Sequence, residues 1–322
     1  MVLESLIGEK NIREHPAFVF FLTLLICAGG IFFANLLFPT HASVLSVAFI
    51  TIGLVPLVYN ILTDEEADEV IQRKHFGTFF ARHFNLIMIY IWIFIGIIAA
   101  FALYYVWVPD VQKVALFDEQ VKAFCGISGE CSNGVPLSIT AKISAFGFDS
   151  CLANNSTISS CTWFIFENNA GVLIFTIVLS LLYGVGSIFI IAWNASILGV
   201  FFGETFLAGA HIKWLGMFQS MLLGHGPPEL LGYVFGALAG AILSAMVAKG
   251  EFFTHGSSII FKDVLFLSAL ALFSVAYGAV TEAVGILHMT ELYFVLGFLY
   301  LLVVIVAVFL YGKARAPVKL CL

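Results

Sequence analysis

The sequence predicts an all-α, polytopic transmembrane helix bundle of about eight membrane-spanning segments, with a disulfide-containing extracytoplasmic loop. Three observations carry that prediction. Of the 322 residues, 61% are hydrophobic and 11% charged, and the mean hydropathy is +1.05. Soluble domains hold about 45–50% apolar and about 25% charged residues, so the bilayer must be the main solvent. The apolar residues also fall into runs of about 20, the length that crosses the hydrocarbon core. Finally, four of the six cysteines sit in one polar stretch between the third and fourth runs. A formal charge of −6 leaves no basic footprint for nucleic acid. Membrane lipid is the expected surrounding.

The spans fall at about 17–38, 41–62, 84–108, 170–193, 196–223, 226–248, 263–286 and 292–311. The start, "MVLESLIGEKNIREHPAFVFF", mixes acidic and basic residues and lacks a short apolar run with a small-residue cleavage site. The first run is therefore expected to be a retained helix. Only Pro39 to His41 separates the first two spans, which suits a tight helical hairpin. Thr63 and Glu66 then have capping-box spacing, and Arg73, Lys74 and Arg82 follow. That pattern predicts a charged cytoplasmic surface helix over 63–83.

Orientation follows from lysines and arginines near the span ends. Lys10 and Arg13, then Arg73, Lys74 and Arg82, and the tail "YGKARAPVKLCL" share one side if the chain crosses eight times. The expected location is the plasma membrane with both termini cytoplasmic. Residues 109–166 then lie outside. Cys125, Cys131, Cys151 and Cys161 are the disulfide candidates there, with three pairings open. Asn154 and Asn155 each head a glycosylation sequon. Cys27 and Cys321 are spare thiols. Three regions result: membrane helices over 1–108, the cysteine-bearing loop over 109–166, and a second membrane domain over 167–322.

The stretch 194–224 carries Glu204, His211 and Lys213 among glycines. It reads either as one broken spanning helix or as a re-entrant pair buried by protein. Helix 226–248 is easier to place by angle. At about 100° per residue, His225, Glu229, Gly232, Gly236 and Gly240 fall in one narrow stripe. Glycines four apart let helix backbones approach closely in lipid, and Gly199 and Gly203 repeat that spacing. Pro227 and Pro228 suit a first helical turn, whose amide donors lack partners anyway.

Charged groups inside a bilayer are costly and normally face a bundle interior. Glu204, His225, Glu229 and Glu282, with Asn169 and Asn194, are therefore the candidate polar cluster. Glu229 and Glu282 are expected toward the outer side, and Glu204 deeper or nearer the inner side. His225 and Glu229 alone are too few ligands for zinc, which takes at least three from protein. The pair equally suits a helix N-terminal carboxylate with a hydrogen-bonded histidine. Trp107 with Tyr104 and Tyr105 sits where an interfacial aromatic belt is expected.

The segments "ENNAGVLIFTIVLSLLYGVGSIFIIAWNASILGVFFGE", "HGPPELLGYVFGALAGAILS" and "AYGAVTEAV" together resemble the stage II sporulation protein M family. The resemblance rests on an Asn-rich entrance, a glycine-rich helix ending in asparagine, a His-Gly-x-x-Glu helix start and a late glutamate. It covers about 160 to 290. The N-terminal helix pair looks like that of longer archaeal members. The family implies a polytopic membrane protein with no established enzymatic activity, and its sporulation members work with a peptidoglycan-degrading complex.

Three functions compete. The first is a non-catalytic, homo-oligomeric membrane scaffold or envelope-assembly factor, with an envelope protein as partner and no cofactor, metal or catalytic residue. The second is a transporter or channel whose polar path is lined by the intramembrane glutamates and histidine. The third is a metal-dependent intramembrane hydrolase built on Glu229 and His225.

Overall fold

A computed structural model describes residues 17–72, 79–128, 157–207, 215–216, 218–219, 222–248, 257–287 and 289–314. Nine long helices account for most of them: α1 Phe18–Leu37, α2 Ala42–Gln72, α3 Phe79–Trp107, α4 Asp110–Ser128, α5 Ile158–Tyr183, α6 Ser187–Leu207, α7 Gly226–Ala248, α8 Ser257–Ile286 and α9 Thr290–Ala314. No strand occurs among the described residues. All but α4 contain a stretch long and apolar enough to cross a membrane. The protein is thus an all-α chain with eight candidate spans.

Several boundaries differ from the sequence reading. The expected spans 170–193 and 196–223 are replaced by α5 and α6, which meet at a break over Gly184–Gly186. Gly184 has φ +66°, the left-handed region where a side chain is disfavoured. A Cβ on Gly186 would fall 2.5 Å from the Leu179 carbonyl oxygen. Hydropathy runs on through this turn, so composition alone places the break about ten residues late. The upstream shift has a local cause as well. Thr157 caps α5, accepting from the Ser160 amide while the Ser160 hydroxyl accepts from the Thr157 amide.

The expected surface helix over 63–83 does not begin at Thr63. Helix α2 continues unbroken from Ala42 to Gln72, with Pro56 inside it. The run Asp64 to Gln72 contains good helix formers and no glycine or proline. A capping box needs a break before it, and none is present. Helix α4 lies within the polar segment over 109–166.

The helices alternate in direction. Helices α3 and α6 run parallel: Tyr90 faces Ser187, with hydroxyl oxygens 3.5 Å apart, and Tyr105 faces Glu204 at the far ends. Two helices run that way when one crossing, α5, separates them. Helix α7 is parallel to α5 and antiparallel to α8. Glu229 meets Asn169 and Gly278, whereas Gly240, three turns on, meets Ser180. Helix α9 returns along α8, with Tyr277 donating to the Leu296 carbonyl at 2.8 Å and Tyr300 to the Ser274 hydroxyl at 2.6 Å.

Two packing groups result. Helices α1, α2, α3, α4 and α6 form one, and α5, α7 and α8 form the other, with α9 against α8. Bulky groups such as Ile50, Tyr90, Phe101 and Tyr300 are fully buried at its centre. The outer face of α9 is open: Val295, Phe298, Leu302, Ile305 and Phe309 are all exposed, as lipid-facing positions are.

Helix α4 packs against the end of α3, the start of α2 and the middle of α6. Phe117 is buried among Phe101, Tyr104 and Tyr105. Gln120 is fully buried, donates to the Ser43 carbonyl at 3.1 Å and the Ser196 hydroxyl at 3.4 Å, and accepts from the Ser43 hydroxyl. On its outer side Lys122 bonds Asp118 and Glu119 at 2.6 and 3.1 Å, and those two carboxylates hold its ammonium above the usual lysine range.

Candidate functional site

The site is built where the entrance of α7 meets α5, α8 and the start of α9. His225 immediately precedes α7, and its carbonyl accepts the Glu229 amide at 3.2 Å. Pro227 and Pro228 occupy the first turn, where a missing donor costs nothing. Glu229 therefore leaves the helix one turn from His225, on the same side. Glu282 arrives from α8, one turn beyond Gly278.

These three residues converge. One imidazole nitrogen and one carboxylate oxygen from each glutamate all lie within 4.8 Å of one another, and each residue is half-buried. A carboxylate oxygen of Glu229 and one of Glu282 thus lie within 4.8 Å of each other. Two carboxylates at that distance repel strongly unless a proton or a cation lies between them. Among the described residues, no lysine or arginine pairs with either.

A second layer orients the three. Asn169 on α5 donates from Nδ2 to Glu229 Oε1 at 3.1 Å, and Asn168 donates to Asn169 Oδ1 at 3.1 Å. Tyr293, in the first turn of α9, places its hydroxyl 2.7 Å from His225 Nδ1. Glycines make the room. A Cβ on Gly278 would crowd Glu229, and Cβ atoms on Gly224 and Gly285 would strike the Tyr293 ring. Sequence reasoning singled out neither Tyr293 nor Gly278. Gly278 had a signal, being four residues before Glu282 and so on the same helical face. Tyr293 had none, because its partner is 68 positions away.

The other expected cluster members lie elsewhere. Glu204 is exposed near the end of α6, where Tyr105 donates to its Oε2. It is not deep or at the opposite end, because the Gly184–Gly186 break moves it to the last turn of its helix, beside α4. Asn194 lies in mid-helix and donates to the Ile190 carbonyl of its own helix at 2.8 Å. Of the belt residues, Trp107 is exposed, whereas Tyr105 is buried against Phe117. Cys27 is a buried free thiol. Cys161 is buried in the first turn of α5. The side chains of Cys125, Cys131 and Cys151, together with Asn154, Asn155, His211, Lys213 and Cys321, lie outside the described residues.

The glycine stripe faces the chain's own helices. Gly232 is pressed against Val275, Ala271 and Ser274 of α8, while Gly236 meets Leu173 and Gly240 meets Ile177 and Ser180 of α5. Gly199 and Gly203 of α6 fit the same way against Phe101 and Tyr105 of α3.

The family model described as Stage II sporulation protein M matches residues 86–285, well over half of the chain. The match takes in helices α3 to α8, including His225, Glu229 and Glu282, and begins well before the segments that carry the resemblance in sequence. Helices α1, α2 and α9, and with α9 Tyr293, fall outside it. No curated protein and no solved structure matches the chain.

Proposed function

The chain belongs to the stage II sporulation protein M family, and from that premise we propose that it is a non-catalytic membrane scaffold that helps assemble the cell envelope. The observation that carries the reading is the packing of α7. Gly232, Gly236 and Gly240 are all buried, and each has a neighbour on α5 or α8 within 3 Å of where a methyl would sit. Such contacts lock helices together where lipid gives no hydrophobic drive between them. A rigid three-helix core suits a protein that holds partners in place.

The scaffold acts as a homo-oligomer in the plasma membrane, with an envelope protein as its partner and both termini cytoplasmic. The loop over 109–166 then lies outside, where disulfides among Cys125, Cys131, Cys151 and Cys161 and a glycan on Asn154 or Asn155 would be chemically at home. Because the glycine faces are consumed within the chain, the second copy meets another surface. The exposed face of α9, from Val295 to Phe309, is one open apolar surface, as are those of α1 and α5. Native mass spectrometry of the full chain from lipid nanodiscs tests this. A defined oligomer is expected, and a monomer alone would reject it.

A transporter is the second reading, favoured by the convergence of His225, Glu229 and Glu282 at one end of the bundle. Glu204 belongs to a separate contact, so a polar path would have to run without it. Solute flux into liposomes that disappears in Glu229→Gln would establish this reading over the scaffold.

A further inference from the structure

We propose that His225, Glu229 and Glu282 form a binding site for one divalent cation of the Zn²⁺ or Mn²⁺ class, at the end of the bundle where α7 begins. This goes beyond the scaffold reading and does not depend on it.

The donor set comes first. One imidazole nitrogen and two carboxylate oxygens suit borderline divalent metals, whereas Mg²⁺ and Ca²⁺ favour all-oxygen shells. Two anionic ligands would neutralise a dication, and a cation removes the repulsion between the two adjoining carboxyls. In the sequence only His225 and Glu229 lie within one helical turn of each other, with Glu282 more than fifty positions away. The third ligand arrives through the fold, because α8 runs antiparallel to α7 and sets Glu282 opposite the α7 entrance.

Geometry is the second argument. Ligand atoms around one ion, with bonds of about 2.1 Å, sit roughly 3–3.5 Å apart. The three donor atoms already lie within 4.8 Å of one another. Small rotations of two flexible glutamates close that gap. All three side chains are half-buried, which leaves an ion a path from solvent.

The surroundings are the third. Metal-binding histidines and carboxylates are normally fixed by an outer layer of hydrogen bonds. Here Tyr293 holds the His225 ring through Nδ1, and Asn169 holds Glu229 through Oε1. These partners come from α9 and α5, so four different elements of the chain converge on the three donors. Glycines at 224, 278 and 285 clear the space that Tyr293 and Glu229 occupy.

The test uses full-length protein in detergent, purified without a polyhistidine tag, stripped with chelator and dialysed against Zn²⁺ or Mn²⁺. Metal per chain is read by elemental analysis, and thermal stability is read in parallel. One ion per chain is expected, with a rise in Tm as metal is added. Glu282→Gln and His225→Ala should each lose stoichiometric binding, and Tyr293→Phe should weaken it about 10-fold or more. Glu204→Gln should bind as the unsubstituted chain does. If Glu282→Gln fails to fold, the titration of unsubstituted protein decides alone. No stoichiometric ion in that titration overturns the site, as does full binding in a folded Glu282→Gln.

Discussion

Gly278 lies directly beneath Glu229: a Cβ built on Gly278 would come within 3.0 Å of the Glu229 Cγ. The missing side chain on α8 is what lets the glutamate of α7 reach Asn169 on one side and Glu282 on the other. The atom it would strike belongs to a flexible side chain, so the glutamate has room to give way. Gly278→Ala should therefore disturb the site more than the fold. The coupling between Asn169 and Glu229, measured by a double-mutant cycle with Asn169→Ala and Glu229→Gln, should be about 0.5–3 kcal/mol in the unsubstituted chain. It should shrink in Gly278→Ala. An unchanged coupling would show that the glycine does not position the carboxyl.

Gly240 presents the opposite case. A methyl there would meet the Ile177 carbonyl oxygen at 2.6 Å and the Leu181 amide nitrogen at 3.2 Å, both backbone atoms of α5. Backbone cannot rotate aside, so α7 and α5 would have to separate. Gly240→Ala should cost about 1–3 kcal/mol, the range for overpacking a tight contact. Gly29 and Gly171 have nothing within 4 Å of the added methyl. Alanine at either should be neutral or gain up to about 1 kcal/mol through helix propensity. Unfolding in detergent compares the three, and equal effects would contradict the packing.

These two glycines also show what a sequence can and cannot reveal about such a bundle. Gly232, Gly236 and Gly240 share a stripe with His225 and Glu229 because helical periodicity is a local property. The eight spans are legible for a similar reason, since each must be apolar over about 20 residues. The break at Gly184–Gly186 is not legible in the sequence, because hydropathy is continuous across it and a single positive φ makes the turn. That break is what moves Glu204 to the last turn of its helix. Glu282 was named as a candidate, but its meeting with Glu229 depends on how α8 packs against α7. Nothing local encodes that pairing. Gln120 was missed altogether, because a glutamine in a polar stretch looks like surface until α4 is laid across Ser43 and Ser196.

Gln120 should be the anchor of α4. It is fully buried and shares hydrogen bonds with Ser43 and Ser196. Removing it takes away the acceptor of the Ser43 hydroxyl, at about 1–3 kcal/mol, while the Ser196 hydroxyl keeps its bond to the Trp193 carbonyl. Helix α4 is otherwise held mainly by Leu116 and Phe117. Gln120→Ala should therefore raise amide hydrogen exchange over 110–123 while leaving α5, α7 and α8 protected. Lys122→Ala, on the outer side of the same helix, should change exchange little, because exposed ion pairs contribute at most about 1 kcal/mol. Loss of protection throughout the bundle in Gln120→Ala would mean that α4 is part of the global core.

The parallel course of α3 and α6 fixes which connections share a side of the membrane. Tyr105 in the last turn of α3 meets Glu204 in the last turn of α6, and α4 lies over both. The chain therefore leaves α6 on the side where it left α3. Helix α7 then crosses away from that side, with Glu229 near its start and Gly240 beyond its middle. Epitope tags inserted after Ser132 and after Ala210 should be reachable by antibody from the same side of sealed vesicles. A tag after Thr254, beyond the end of α7, should be reachable only from the other. If 194–224 were a re-entrant pair entering from the opposite face, every later segment would invert, and the Thr254 tag would be reachable from the Ser132 side instead. Lysines and arginines concentrate before α1, between α2 and α3, and after α9, so the Ser132 and Ala210 tags should face outward under the positive-inside rule. Labelling of intact cells at those two positions, with none at Thr254, would place His225, Glu229 and Glu282 at the outer surface.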